Sequence, residues 1–239
     1  KTPSFTVNDE KGFFHCFSTS EHGNIFDFLM KTQNLKFGEA VKTLALQAGM
    51  RPYTFSKADE EREKAWKEYA GIYSDYINFF HNELLNNPDA NKSLNYLKNR
   101  KLSLETIKNF KIGYVRKNLS LFGNLETKFG KKAVKECGIF YFDEKKNTYI
   151  DRFRDRVIFP INSISGSPIA IGGRIMEKNS FFAKYINSPE TQFFKKGNNL
   201  YNIDKARILS NKLNQIFLVE GYMDVIGLNN NGISNCVAN

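Results

Sequence analysis

Near the C-terminus, the string Gln215-Ile216-Phe217-Leu218-Val219-Glu220-Gly221-Tyr222-Met223-Asp224-Val225 sets two carboxylates four residues apart across a glycine. An apolar run that ends on an acid and is broken by glycine describes a buried strand that delivers a carboxylate to the edge of a sheet. There it can bind a divalent cation. Acids paired in this way hold Mg2+ (or Mn2+), which lowers the pKa of an attacking hydroxyl and offsets charge on a transferring phosphoryl group. Glu220 ends a very apolar strand, where burial without a partner is costly, and this favours a functional role. Asp224 reads equally as a metal ligand or as a solvated helix residue. The chain stops at Asn239, before any Asp-x-Asp pair that would complete such a site.

Two other clusters carry candidate chemistry. His15, Cys16 and His22 contain at most one zinc half-site, because the position three after Cys16 is Thr19, a poor zinc ligand. The alternative is a buried cysteine beside a surface histidine. The second cluster is basic and aromatic. In Asp151-Arg152-Phe153-Arg154-Asp155-Arg156, strand alternation puts Arg152, Arg154 and Arg156 on one face, either to track a phosphate backbone or as a solvated edge paired with Asp151 and Asp155. Gly172-Gly173-Arg174 lets backbone approach a ligand closely beside a guanidinium. Lys184 to Thr191, with Tyr185 among them, and Phe193-Phe194-Lys195-Lys196 set cations near rings, a mixture suited to single strands.

The elements that must carry these residues follow from periodicity. Short strands at 4–7 and 13–17 precede helices near 25–31 and 38–48, and 51–56 reads as a linker. A long helix over 60–86 places Trp66, Tyr69, Tyr73, Ile77, Phe80 and Leu84 on one core-facing stripe. Helices at 93–98, 104–110 and 123–137 flank a strand at 112–115. From residue 139 strands dominate, at 139–142, 149–153, 157–161 and 169–174. A helix at 203–210, the strand ending at Glu220, a helix at 222–230 and a strand at 235–238 begin a βαβ unit. The fold class is mixed α/β (α+β).

With 239 residues, 41% of them hydrophobic, the chain has material for one large or two smaller cores and is not disordered. No apolar run approaches the roughly 20 residues that span a bilayer. Three widely spaced cysteines argue against a disulfide framework and for a reducing cytoplasm. A net charge of +10 favours a polyanionic partner, as weak evidence by itself.

Taken together, these residues resemble bacterial DNA primases with a Toprim catalytic core. The segments Lys1 to Phe5, Phe14-His15-Cys16-Phe17 and His22-Gly23-Asn24 are similar to the second half of that family's zinc ribbon. Tyr96 to Ser103 and Ile112-Gly113-Tyr114 match the start of its RNA-polymerase domain; Arg152 to Ile161, Gly172 to Arg174 and Lys184 to Thr191 match its basic-subdomain motifs, and Glu220 to Val225 the first Toprim motif. The resemblance implies a zinc-ribbon remnant at 1–50, a linker at 51–58, the N-terminal and basic part of the polymerase core at 59–211, and the start of a Toprim sheet at 212–239. It also implies an enzyme that copies single-stranded DNA into short RNA primers from ribonucleoside triphosphates, with a replicative helicase as partner through a region absent here. Glu220 would be the catalytic acid, with Asp224 in the same Mg2+ motif. Arg100, Arg152, Arg154, Arg174, Lys184, Tyr185 and Lys196 would hold template or nucleotide. For Zn2+, Cys16 would be a ligand and His22 a substitute for the thiolate missing at Thr19. Both ends fall inside these patterns, as in a piece of a longer protein, and the 239 residues alone would bind single-stranded DNA without making primers. The alternatives are another Toprim enzyme (a topoisomerase or nuclease) or a non-catalytic single-stranded-DNA-binding module.

Overall fold

Alternating aromatic residues build the first sheet. Strands β1 (Phe5–Asn8), β2 (Phe13–Cys16) and β3 (Glu21–Asn24) form an antiparallel meander in that order. Phe5 and Phe14 stack with ring centroids 5.7 Å apart, and Phe28 of helix α1 (Ile25–Gln33) meets Phe14 edge-on at 5.4 Å. β3 is a strand the sequence pattern does not announce. Its residues Glu-His-Gly-Asn carry no apolar alternation, and pairing with β2 alone makes them extended. Asn24 then starts α1: its Oδ1 accepts from the N–H groups of Phe26 and Asp27, and the Asp27 carboxylate accepts from the Asn24 N–H. Helix α2 (Phe37–Gln47) completes this part. The computed structural model describes residues 4–10, 12–51, 56–176 and 182–239. Residues 52–55 of the expected linker and 1–3 of the first motif lie outside the described residues. The chain divides into two units, Lys1–Glu60 and Glu61–Asn239.

The second unit is organised by helix α3 (Lys57–Asn86), 30 residues that begin at a reciprocal cap between Ser56 and Asp59 and end before Pro88. Tyr69, Tyr73, Ile77, Phe80 and Leu84 of the expected stripe are buried, joined by Ile72 and Tyr76. Each such side chain contributes roughly 1.5–3 kcal/mol through removal from water. Trp66 is partly buried, its ring 5.2 Å from that of Phe193. Helices α4 (Asn91–Asn99) and α5 (Leu104–Asn109) follow, then strand β4 (Gly113–Val115). The helix expected over 123–137 is two: α6 (Phe122–Phe129) and α7 (Lys131–Glu136). Gly130 divides them with φ +84°, which no helix accommodates.

Strands β5 (Phe140–Asp143) and β6 (Thr148–Asp151) make a hairpin. The main sheet runs β4, β7 (Arg156–Asn162), β8 (Pro168–Ile175), β9 (Tyr185–Asn187), antiparallel throughout. Helix α8 (Ile203–Leu213) leads to β10 (Phe217–Val219), α9 (Tyr222–Asn230) and β11 (Cys236–Ala238), where β10 and β11 pair in parallel as a βαβ unit. Among the described residues, no helix is long and apolar enough to cross a membrane.

One expectation fails at Asp151 to Arg156. Residues 152–155 are a turn, so Arg152, Arg154 and Arg156 do not share a strand face. The cause is local: the Asp151 carboxylate accepts from the Phe153 N–H at 2.7 Å and closes an Asx turn, and Asp155 takes φ +56°. Asp151 also accepts from the Tyr76 hydroxyl at 2.7 and 2.8 Å, deep in the core. Burial pushes its carboxyl up from 3.8 to about 7. The folded state therefore holds this proton more tightly than the unfolded chain. The stabilisation is full below the unfolded value and is lost as pH rises through about 7. Urea unfolding should show wild type losing about 2 kcal/mol more than Asp151→Asn between about pH 5 and pH 7. Parallel pH profiles for the two proteins would refute this assignment.

Candidate nucleic-acid interface and metal-binding edge

Two of the expected binding residues converge on a side chain not singled out from the sequence, Tyr96, and a third joins them through Arg174. It lies on α4, whose last turn ends at Arg100, and the Arg100 guanidinium carbon is 5.6 Å from the Tyr96 ring centroid. Arg174, near the end of β8, approaches the same ring to 4.3 Å. Antiparallel pairing sets Tyr185 of β9 directly opposite Arg174, with the guanidinium carbon 6.0 Å from its ring. Burial raises the Tyr185 phenol above its ordinary pKa, so it stays neutral. Among the described residues neither arginine forms an ion pair with a carboxylate. Among the described residues the buried Arg174 Nε and Tyr96 hydroxyl have no hydrogen-bond partner, and for the arginine this costs free energy unless a ligand supplies one. Two guanidinium groups held by rings can clasp a phosphate while Tyr185, 41% exposed, offers a face to a base. The tyrosine-to-arginine spacing of four on a helix was the available signal for Tyr96.

Arg152 and Arg154 form a second, smaller group by way of the turn. Arg152 stands 5.4 Å from the Tyr141 ring centroid and Arg154 donates to the Tyr141 hydroxyl at 3.2 Å. Arg156 is structural: buried at the start of β7, it donates to the Ala183 carbonyl at 2.9 Å. Lys184 is exposed, and its carbonyl accepts from the Ile175 N–H to extend the sheet. Lys196 is also exposed, in a short turn where its N–H donates to Glu190 at 3.0 Å. Two hydroxyls of the 184–191 string are instead turned to the core. Ser188 accepts from the Ile171 N–H and the Tyr73 hydroxyl, and Thr191 bonds the Tyr69 hydroxyl. Phe194 is buried, and Phe193 packs on Trp66 and Tyr69, so neither ring is open to a base.

The glycine pair before Arg174 serves packing rather than a ligand. A Cβ on Gly172 would sit 2.3 Å from Cε2 of Tyr222, and one on Gly173 2.6 Å from Cδ1 of Phe153. Tyr222 belongs to the acidic motif. Its ring lies between Phe159 at 6.0 Å and Tyr201 at 4.6 Å, and its hydroxyl donates to Asn187 at 2.7 Å. Burial pushes the phenol up to about 12. Through Tyr222, the segment bearing Glu220 and Asp224 docks on β8 and β9, the strands that carry Arg174 and Tyr185.

Glu220 follows β10 and is exposed, contrary to the buried position its apolar strand suggested. That strand is itself open, with Leu218 68% exposed, because apolarity reports a need for cover and not its presence. Asp224 is an exposed helix residue, one of the two readings the sequence left open, and it also caps α9: its Oδ2 accepts from the Gly221 N–H at 3.1 Å. Two carboxylates at this edge still fit Mg2+, which takes one or two protein carboxylates and fills its shell with water and phosphate. Zinc fits poorly. Register pairs His22 with His15 and Cys16 with Glu21, so Cys16 and His22 occupy alternating positions facing opposite sides of the sheet. Thr19 is engaged as acceptor from the Glu21 N–H at 3.4 Å. Hydrogen bonds from Ser18 and Thr19 hold the half-buried Cys16 thiol down at about 7. Among the described residues there is no group of three His, Cys, Asp or Glu able to hold a metal.

Known proteins resemble this chain along its whole length. Residues 1–61 match the CHC2 zinc finger family and residues 79–207 the N-terminal domain of the DNA primase catalytic core. DNA primase of Escherichia coli strain K12 is 37% identical over 244 residues, and that of Pseudomonas putida 37% over 245. These alignments take in all of this chain but only 41% and 36% of those proteins. The crystal structure of the zinc-binding and RNA polymerase domains of Aquifex aeolicus primase superposes with TM-score 0.63 at 29% identity, over 100% of this chain and 56% of that one. A DnaG primase catalytic domain bound to ssDNA gives TM-score 0.63 at 32% identity, over 73% and 54%. The mixed α/β fold is thus that of primase zinc-binding and RNA polymerase domains.

Because Gly172 leaves room only for the Tyr222 ring, Gly172→Ala should destabilise the chain by about 1–3 kcal/mol in urea unfolding. Near-ultraviolet circular dichroism should register the displaced tyrosine. Wild-type stability with an unchanged aromatic signal would show that Tyr222 is not locked there.

Proposed function

The chain belongs to the DNA primase family, and we propose from that premise that its protein synthesises short RNA primers on single-stranded DNA during replication. Ribonucleoside triphosphates would be the substrates and Mg2+-dependent nucleotidyl transfer the reaction. The observation that carries this reading is the group of Arg100, Tyr96, Arg174 and Tyr185, two guanidinium ions ordered by rings, with no carboxylate partner among the described residues, beside an acidic edge. Such an arrangement suits a phosphodiester backbone with exposed bases. The exposed Lys184 and Lys196 and the pair Arg152 and Arg154 extend the positive surface along which template or nucleotide would lie.

Glu220 and Asp224 would hold Mg2+, the ion supplying charge compensation for the transferring phosphoryl group and a lower pKa for the attacking hydroxyl. Asp224 serves twice in this reading, since its helix-capping bond uses one carboxylate oxygen and leaves the other. The β10–α9–β11 unit would begin a Toprim sheet at 212–239, after the N-terminal and basic part of the polymerase core at 59–211 and a zinc-ribbon part at 1–50 joined by a linker at 51–58, whose last two residues already belong to α3. Because the fit for zinc is poor, no step depends on it. A replicative helicase would be engaged outside these residues, in the cytoplasm, a setting that suits three free cysteines.

Two measurements test the reading. In fluorescence anisotropy with single-stranded DNA, Arg174→Ala should weaken binding about tenfold and Tyr96→Phe only slightly, since the ring and not the hydroxyl holds the guanidinium ions. In the protein containing this chain, Glu220→Gln should cut primer synthesis about a hundredfold or more with DNA binding retained. Undiminished synthesis by Glu220→Gln would reject the catalytic assignment.

A further inference from the structure

The β5–β6 hairpin has two faces, and the interface described above uses one of them. Tyr141, opposite Ile150, meets Arg152 and Arg154. The neighbouring pair, Phe142 opposite Tyr149, points to the other side by strand alternation. There Tyr149 stacks on Phe122 of α6 with centroids 4.4 Å apart and planes 3° from parallel, and Phe142 lies 5.2 Å from Tyr149. Phe142 is 47% exposed, a large apolar ring left in water beside an ordered stack.

Helix α7 lines this stack with cations. Lys135 places its ammonium 5.2 Å from the Tyr149 centroid, and Lys131 stands one turn earlier. Together with Phe122, Phe142, Asn147, Thr148 and Tyr149, these lysines enclose a shallow cavity of about 510 Å³ whose lining contains no acidic residue. Of the nearby carboxylates, Glu126 pairs with Lys131 at 3.7 Å and offsets part of its charge, whereas Asp143 is turned into the hairpin, where it accepts from the N–H groups of Lys145 and Lys146. Rings open to a planar partner, flanked by cations and neutral amide and hydroxyl groups, match one nucleotide of a single strand: a base on the ring and its phosphate on the lysines.

We propose that Phe142, Tyr149, Lys131 and Lys135 form a second contact for single-stranded nucleic acid, separate from the Arg174 group. It takes a base against Phe142 and the adjoining phosphate on the α7 lysines. The assignment rests on the single-strand binding proposed for the Arg174 group, and the two can fail independently. A short strand fills the Arg174 group alone, whereas a longer one reaches the hairpin as well.

The test is anisotropy on the full chain with oligodeoxythymidylates of about 8 and about 30 nucleotides, lengths that bracket the site sizes of single-strand binders. Phe142→Ala and the double variant Lys131→Ala with Lys135→Ala should each weaken the longer strand about five- to tenfold and leave the shorter one unchanged. Arg174→Ala should weaken both. The lysine variant leaves the Phe122–Tyr149 stack intact, so it remains informative if Phe142→Ala misfolds by circular dichroism. If Arg174→Ala weakens both strands while the hairpin variants match wild type, the second contact is overturned and the first survives. Equal weakening of both lengths by the hairpin variants would overturn its being a separate site. Should no variant affect either strand, both assignments fall together.

Discussion

Three buried phenols on one helix hold the second unit together. Tyr69, Tyr73 and Tyr76 of α3 each send a hydroxyl to a different element: the Ile169 carbonyl in β8 at 2.6 Å, the Cys137 carbonyl before β5 at 2.9 Å, and the Asp151 carboxylate at the end of β6. Tyr73 also reaches the Ser188 hydroxyl at 3.1 Å. A buried hydroxyl without a partner costs on the order of 1–3 kcal/mol, so each bond fixes both the helix and the strand it meets. Burial pushes all three phenols above their ordinary pKa, which keeps them neutral donors. The remaining architecture is arranged around these fixed points.

The cationic surface depends on that frame. Arg174 lies five residues beyond Ile169 on the same strand, and Tyr185 three residues before Ser188, so the tyrosine bonds set the register that brings them face to face. Asp151 ends β6 and turns the chain so that Arg152 and Arg154 reach Tyr141. In both groups an aromatic ring orders the guanidinium ions. The acidic edge is tied to the same strands by Tyr222, filling the space over Gly172 and bonding Asn187. The cation group on β8 and β9 and the two carboxylates beyond β10 stand on different sheets, and Tyr222 is the contact that ties the one to the other.

Much of this was legible in the linear pattern. The tyrosine stripe of α3, the βαβ ending and the acid-glycine-acid string at 220–224 all follow from periodicity and from residue types that serve one purpose. Less legible were the features decided by pairing. β3 has no apolar alternation and is extended because β2 offers it partners. The Asp151 to Arg156 string alternates like a strand, yet its first residue makes an Asx turn that a period-of-two count does not see. Burial was misjudged at Glu220 for a related reason, since an apolar strand states a preference that only neighbours can satisfy.

By itself the sequence determined which chemistry was available: arginines and lysines beside rings, two carboxylates at a strand end, one thiolate where a zinc half-site wants two, and a mixed α/β alternation of elements. Those are properties of residue type and spacing, and folding does not alter them. Only the tertiary structure decided which of those residues meet. It gathered Arg100 and Arg174, 74 positions apart, on Tyr96, took Arg156 into the core, and gave Gly172 to a tyrosine ring instead of a ligand. Long-range contacts of this kind are set by how buried polar groups find partners across elements, and no local pattern encodes that choice.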